Sequence, residues 1–390
     1  MIPPNNPRIE IADVLRGVAI LAIVLLHSIE HFNFYSFPET SGVLEFTDRV
    51  VWDGLFFTFA GKAYAIFSLL FGMSFFIQDR NHTQRGGDFR ARFAWRLFLL
   101  FLIGNLDAAF FTAEVLVMYS LVGFALIPVC RLKTRTVLII ASICLIQPME
   151  LCRLIYALFN PDFVASAPLD APYWATTFAA QQGSDFWVTL KTNLWQGQIA
   201  SLAWAWENGR IFQTAALFML GMVVGRTNFI SPSPTVSRRM VFVLLAGLVA
   251  FFPLYGLSNM VPRFIDNQAI LKPLLLILNS LHKVAFMAFL VGSIVWLYYN
   301  TTKISNLLSH LRPYGRMSLT NYVTQSIIGA TLFYGWGFAL HQYLGITYSF
   351  FVGVAIFFVQ LAFCRWWMKR HKHGPLEGLW KKATWVEIGL

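Results

Sequence analysis

Charge is scarce in this chain. Only 13% of its 390 residues are Asp, Glu, Lys or Arg, against about 25% in a soluble domain. With 57% hydrophobic residues and a mean hydropathy of +0.59, that shortage excludes a soluble globular fold. Cysteine is scarce too. Cys130, Cys144, Cys152 and Cys364 lie in or beside apolar segments, without CxxC spacing or a neighbouring His cluster. They read as buried thiols, neither a disulfide framework nor a metal site. Walker loop, dinucleotide fingerprint, zinc signature and GxSxG are all missing, so no metal is expected. No repeat, low-complexity tract or soluble second domain interrupts the chain. The net charge of +11 implies no nucleic-acid partner, because Lys and Arg concentrate in the cytoplasmic loops of membrane proteins.

What is there is apolar helix. The fold class is all-α, a polytopic bundle of about ten transmembrane helices forming a single transmembrane domain over 1–390, with the lipid bilayer as its first partner. The chain is organised around Asp13 to His31, DVLRGVAILAIVLLHSIEH, with charge only at its two ends. Eleven helical steps bring His27 to within about 20° of the face of Arg16, about 16 Å along the axis. His31 extends the stripe by one turn. This stretch is too long for a cleaved signal peptide, and no small-x-small site follows it.

The Pro/Asn-rich lead MIPPNNPRIE cannot be helical throughout. Spans are expected at about 11–32, 95–111, a fourth ending at about 130, 136–159 with a kink at Pro148, 210–225, 239–257, 271–299, 317–340 and 345–367. The tract 50–77 exceeds one bilayer crossing and is interrupted at Gly61-Lys62. It is one broken helix, or an interfacial helix and then a span. Basic loops (Arg80 to Arg96; Arg131 to Arg135; Arg226 to Arg239; Lys303 to Arg316; Arg365 to Lys382) alternate with base-poor ones. By the positive-inside rule both termini are cytoplasmic. Residues 160–208, with Pro161, Pro168 and Pro172, form an outer-side loop. Within it 184–206 reads as a Trp-rich amphipathic helix at the interface, a segment that suits a homodimer as readily as a lipid surface.

An ionisable group at membrane depth usually faces a cavity or a partner. This topology puts Arg16 near the cytoplasmic mouth and His27 toward the outer half. A basic group inside suits an anionic donor, and a His further out suits proton abstraction. Asp13 is placed to hold Arg16, and Glu30 to orient His27. Taken singly, Arg16 also fits a snorkelling arginine and His27 a helix-bonding one. Asp53, Lys62 and Tyr64 flank the break in the second tract. Glu150 and Arg153 are expected to pair. Asn105, Asp107 and Glu114 gather between spans three and four. His282 and Lys283 lie in span eight. Ser318, Asn321 and Gln325 form a stripe that suits helix–helix bonding or a site wall.

Four stretches carry a resemblance: DVLRGVAILAIVLLH, FSLLFG at 67–72, GRMSLTNYVTQSIIG at 315–329 and GPLEGLW at 374–380. Together they resemble the YeiB-like family, bacterial multi-pass inner-membrane proteins built on a domain of unknown function and loosely attached to transport. The first span is also similar to that of the transmembrane acyltransferases. That group includes bacterial O-acyltransferases that decorate surface sugars and the lysosomal heparan glucosamine N-acetyltransferase. In the former, an Arg and a His separated by ten residues mark the first span, as Arg16 and His27 do here. YeiB-like members often carry Asn at the position of His27, so this chain departs toward the acyltransferase pattern. It departs again in GNLDAAFFTAEVL, where Asp107 stands for a family His and Glu114 for a family Asp.

The expected function is therefore acyl transfer, acetyl foremost, from cytoplasmic acyl-CoA to a small-molecule, glycan or lipid acceptor at the outer side. Arg16, Lys62 and Arg92 of the basic loop are expected to hold donor phosphates. His27 is the base or acyl carrier, with Glu30 and Asp13 orienting. His31, Asp53, Asn321 and Gln325 are the substrate-side candidates. The alternative is a transporter for a small anionic or lipid-linked metabolite, and a scaffold role is the third option.

Overall fold

Long apolar runs at helical spacing leave the backbone one way to satisfy its own polar groups, and the chain takes it. The computed structural model describes residues 9–160, 162–165 and 167–386; every regular element among them is helical. Pro161 and the lead over residues 1–8 lie outside the described residues. The first half holds α1 (Glu10–Ile29), α2 (Val43–Phe59), α3 (Lys62–Thr83), α4 (Phe89–Ala108), α5 (Leu116–Gly123), α6 (Leu126–Val129), α7 (Thr134–Leu145) and α8 (Pro148–Phe159). A connecting segment folds into α9 (Ala171–Gln182), α10 (Phe186–Thr192) and α11 (Gln198–Glu207). The second half holds α12 (Arg210–Arg226), α13 (Val236–Met260), α14 (Gln268–Asn300), α15 (Thr302–Ser309), α16 (Arg312–Arg316), α17 (Ser318–Phe333), α18 (Ile346–Met368) and α19 (Pro375–Thr384).

Five helical stretches are long and apolar enough to cross a membrane, or six when the bent pair α7–α8 is one span. The protein is a membrane helical bundle. The helix α12 has 17 residues and α17 has 16, short of the roughly 20 that a bilayer requires. Span nine, expected to reach residue 340, stops at Phe333 because Tyr334 turns extended ahead of Gly335.

The core sits around α1. Of its apolar window 78% is buried inside the protein, against 17% for α13. It packs on α2, α3, α14, α16, α17 and α18. The peripheral α13 instead turns Phe242, Leu245, Val249 and Phe252 outward, the surface a helix shows to lipid rather than water. Cys152 is exposed on α8, where only Glu150 and Ala157 are buried, so it is no buried thiol. Cys130 and Cys364 are buried.

Two interruptions shape the bundle. Gly61, at φ +75°, breaks α2 from α3, a left-handed conformation that glycine adopts without strain. Pro148 opens α8 after a 49° bend, with Gln147 left-handed at the joint. The Gln147 amide nitrogen donates to Gly209 O and to Ser280 Oγ, both at 3.0 Å, tying the bend to α12 and α14.

Helices α3 and α12 approach closely. A Cβ on Gly72 would fall 1.9 Å from Phe218 O, and one on Gly221 1.9 Å from Leu69 O. Such small-residue contacts replace the hydrophobic force that lipid removes. A Gly221→Leu substitution is therefore expected to abolish the monodisperse species in detergent gel filtration. Wild-type yield and retention volume would show that α3 and α12 do not meet there.

Candidate functional site

The first-span stripe comes out as two differently furnished ends. At one, Arg16 donates to Asp13 Oδ1 at 2.8 Å and to Ser74 Oγ of α3 at 2.6 Å. The i,i+3 spacing that suggested this pair supplies it. At the other, His27 is 9% exposed, and its Nδ1 has no hydrogen-bond partner among the described residues. Its ring lies 4.6 Å from Phe111, 5.4 Å from His31 and 6.3 Å from Tyr322. Glu30 reaches His31, Oε1 to Nδ1 at 2.9 Å. The other His31 nitrogen meets the Tyr35 hydroxyl at 3.3 Å. Glu30 thus lies against His31 and not His27.

Two carboxylates that the family comparison marked as departures stand at the His27 end. Asp107, fully buried in α4, accepts from Ser326 Oγ of α17 at 3.2 Å. Glu114 accepts the backbone amides of Leu116 and Val117 at the start of α5, where a carboxylate meets the positive end of a helix. Between them the Tyr322 hydroxyl accepts from Val115 N at 3.2 Å. The connecting segment covers this end. Gln181 of α9 donates to Thr112 Oγ1 and to Asn193 Oδ1, and Asn193 donates to Ala109 O at 2.9 Å. A π-turn at Asn193–Gly197 carries α10 into α11, so 186–207 runs as one helix with Trp187 and Trp195 exposed.

The remaining candidates scatter. Lys62 begins α3, twelve residues before Ser74, so about 18 Å of helix separates it from Arg16. It cannot share a phosphate with Arg16. Its Nζ donates to Phe56 O and Phe57 O at 3.3 and 2.6 Å. Arg92 is committed to the chain's tail, donating to Thr384 O and Val386 O at 3.2 and 2.8 Å. Its neighbour Arg96 stacks on Trp380 at 3.5 Å. Arg90 is bound to Asp88 through three contacts of 2.6 to 3.1 Å, and those bonds hold the Asp88 carboxyl well below the usual carboxylate range. The basic loop is thus less available to a donor than its composition suggested. Asp53 is exposed on α2, away from the cluster. Asn321 bonds Tyr314 O at 2.9 Å and Cys364 Sγ at 3.3 Å, joining α16, α17 and α18. Gln325 is fully buried with neither amide atom partnered among the described residues. Glu150 and Arg153 pair at 2.7 Å. Among the described residues no three His, Cys, Asp or Glu could hold a metal.

Sequence reasoning undervalued Arg210, Tyr322 and Ser326. Arg210 opens a span straight after Gly209, and its guanidinium lies over the rings of Tyr64 and Trp204. Only the folding of three distant segments brings it beside Lys62.

The tail motif has a structural task. Glu377 accepts from Leu319 N, Thr320 N and Thr320 Oγ1 at 2.8, 3.1 and 2.6 Å, capping α17. Residues 224–387 match a family described as protein of unknown function (DUF418). The uncharacterized protein YxaH of Bacillus subtilis (strain 168) is 25% identical over 408 residues, covering 98% of this chain and 95% of that protein. The uncharacterized protein YeiB of Escherichia coli (strain K12) is 26% identical over 396 residues, 95% of each. No solved structure matches.

Since Arg92 holds the tail, Arg92→Ala is expected to speed amide exchange across α19 while leaving α1 unaffected. Unchanged exchange over 375–384 would show the tail held without it.

Proposed function

From a chain that is YeiB-like along nearly its whole length, we propose a bacterial inner-membrane acyltransferase that moves an acyl group, acetyl foremost, from cytoplasmic acyl-CoA to an acceptor at the outer side. In this reading the long spans, with α4, α5–α6, α12 and α17 as further crossings, make ten passes. Both termini are then cytoplasmic, Arg16 faces inward and His27 outward.

The observation that carries the proposal is α1 itself. One buried helix holds an anchored arginine near one mouth and, near the other, a histidine whose Nδ1 is uncommitted. Arg16, fixed by Asp13 and Ser74, binds donor phosphate. His27 takes the proton from an acceptor hydroxyl or amine. The acceptor atom bonds to the thioester carbonyl, the carbon–sulfur bond breaks, and the thiolate recovers the proton from His27. Gln325 and His31 line the acceptor side. Transport of an anionic metabolite is the second reading. It is favoured by the interrupted pairs α2–α3 and α7–α8, because broken helices often bind ions near the midplane.

The test uses purified protein in nanodiscs with acetyl-CoA, and inverted membrane vesicles as the acceptor source. Arg16→Ala is expected to lose the ligand-induced rise in unfolding midpoint. His27→Ala is expected to keep that rise and to lose transfer by about 10²- to 10⁴-fold. Undiminished transfer in His27→Ala would remove the chemistry from this residue. Anion uptake into proteoliposomes with no covalent change would shift the protein to the second reading.

A further inference from the structure

Three cations converge on Gly61. A Cβ built there would lie 2.9 Å from Lys283 Cδ and 3.3 Å from Arg210 Nη1, and the next residue is Lys62. They come from the middle of α14, the start of α12 and the start of α3. The missing Cβ leaves the space into which Lys283 and Arg210 reach.

The cluster is not neutralised. Among the described residues Lys283 makes no hydrogen bond or ion pair. Arg210 donates only to Gln213 Oε1, at 3.0 Å, beyond its contacts with the Tyr64 and Trp204 rings. Lys62 gives two of its three donors to neutral carbonyls. The carboxylate within electrostatic reach of Arg210 is Glu30, already engaged with His31. His282 adds a buried imidazole whose Nδ1 is unpartnered. Like charges this close repel, and an apolar bundle deepens the cost. Lys62 is 5% exposed, whereas Arg210 and Lys283 are only partly buried.

We infer that Lys62, Arg210 and Lys283 bind a phosphate-class anion. Three cations match a phosphoryl dianion better than a single carboxylate, and the N-termini of α3 and α12 add backbone dipole of the same sign. Arg210 supplies the planar fork and the lysines the point charges. The neighbouring polar groups are already fixed around this site. Gln213 donates to Ser280 O at 3.2 Å, Gln147 bonds Ser280, and Tyr64 donates to Arg210 O at 3.3 Å. The site lies toward the His27 end, since Glu30 is in reach of it, and about 18 Å of α3 from Ser74, the partner of Arg16. The anion it binds is therefore not the phosphate at Arg16. The inference stands on this cluster and holds for an acceptor or a transported molecule alike.

The phosphate has two sources, a soluble phosphate or a lipid headgroup, and one experiment separates them. Thermal unfolding midpoints of the full chain are measured in neutral detergent with inorganic phosphate against chloride at equal ionic strength. They are measured again in nanodiscs of phosphatidylglycerol against phosphatidylcholine. Wild type is expected to gain several degrees in one of these comparisons, and Lys283→Gln to lose that gain. Phosphate-free Lys283→Gln is expected to be at least as stable as wild type, since a repelling charge has gone. Arg210→Gln should lose the gain as well. If Arg210→Gln does not fold, Lys283→Gln still decides, because it breaks no bond described above. A midpoint rise that survives in Lys283→Gln, no phosphate-specific rise in either comparison, or an equal rise with acetate overturns the inference. His27→Ala should keep the phosphate response, so failure of acyl transfer and failure of this site are distinguishable.

Discussion

A polar group inside an apolar bundle must find its partner within the protein, because the surrounding lipid offers none. Many charged and amide side chains among the described residues obey that constraint by a named contact. Asp13 meets Arg16, Glu150 meets Arg153, and Arg226 donates to the carbonyls of Cys130 and Leu132. Gln360, Asn321 and Tyr314 knit α16, α17 and α18 together. Among the groups left over in the described residues are the His27 nitrogen, both amide atoms of Gln325, one oxygen each of Asn33, Asp107 and Gln147, and the cations around Gly61. Function is sought there because a buried polar group without a protein partner is costly unless something else meets it.

Local pairings were legible in the sequence and long-range ones were not. The run between Arg16 and His27 fixed α1 through periodicity, and i,i+3 spacing gave both the Asp13–Arg16 and Glu150–Arg153 pairs. Pro148 marked its bend because proline cannot continue a helix in place. Reading Glu30 as the partner of His27 failed because the chain leaves the helix after Ile29, which turns Glu30 toward His31. Grouping Lys62 and Arg92 with Arg16 failed for another reason. Charge alone does not say which end of which helix a residue occupies, nor that a tail 290 positions away will claim it. Arg92 and Val386 are 294 positions apart, a separation no spacing rule reaches.

The interrupted helices give the bundle its two-ended character. Gly61 and Gln147 both stand at breaks, both in the left-handed conformation, and α12 starts after a third such residue, Gly209. These breaks replace continuous backbone by helix starts inside the protein, and polar side chains gather where they occur. The segment 171–207, anchored through Gln181 and Asn193, closes over the neighbouring His27 end. The Arg16 end and the His27 end thus have separate supports, joined mainly through α1 and α3.

The cap on α17 has a consequence for synthesis. The amides of Leu319 and Thr320 wait for a carboxylate 58 and 57 residues further on. Glu377 is made after all of α17, so that helix is synthesised with its first turn unfinished. A truncation that removes Glu377 therefore reaches into the middle of the fold, and a nascent chain stalled before it lacks one of its inner helices' fastenings.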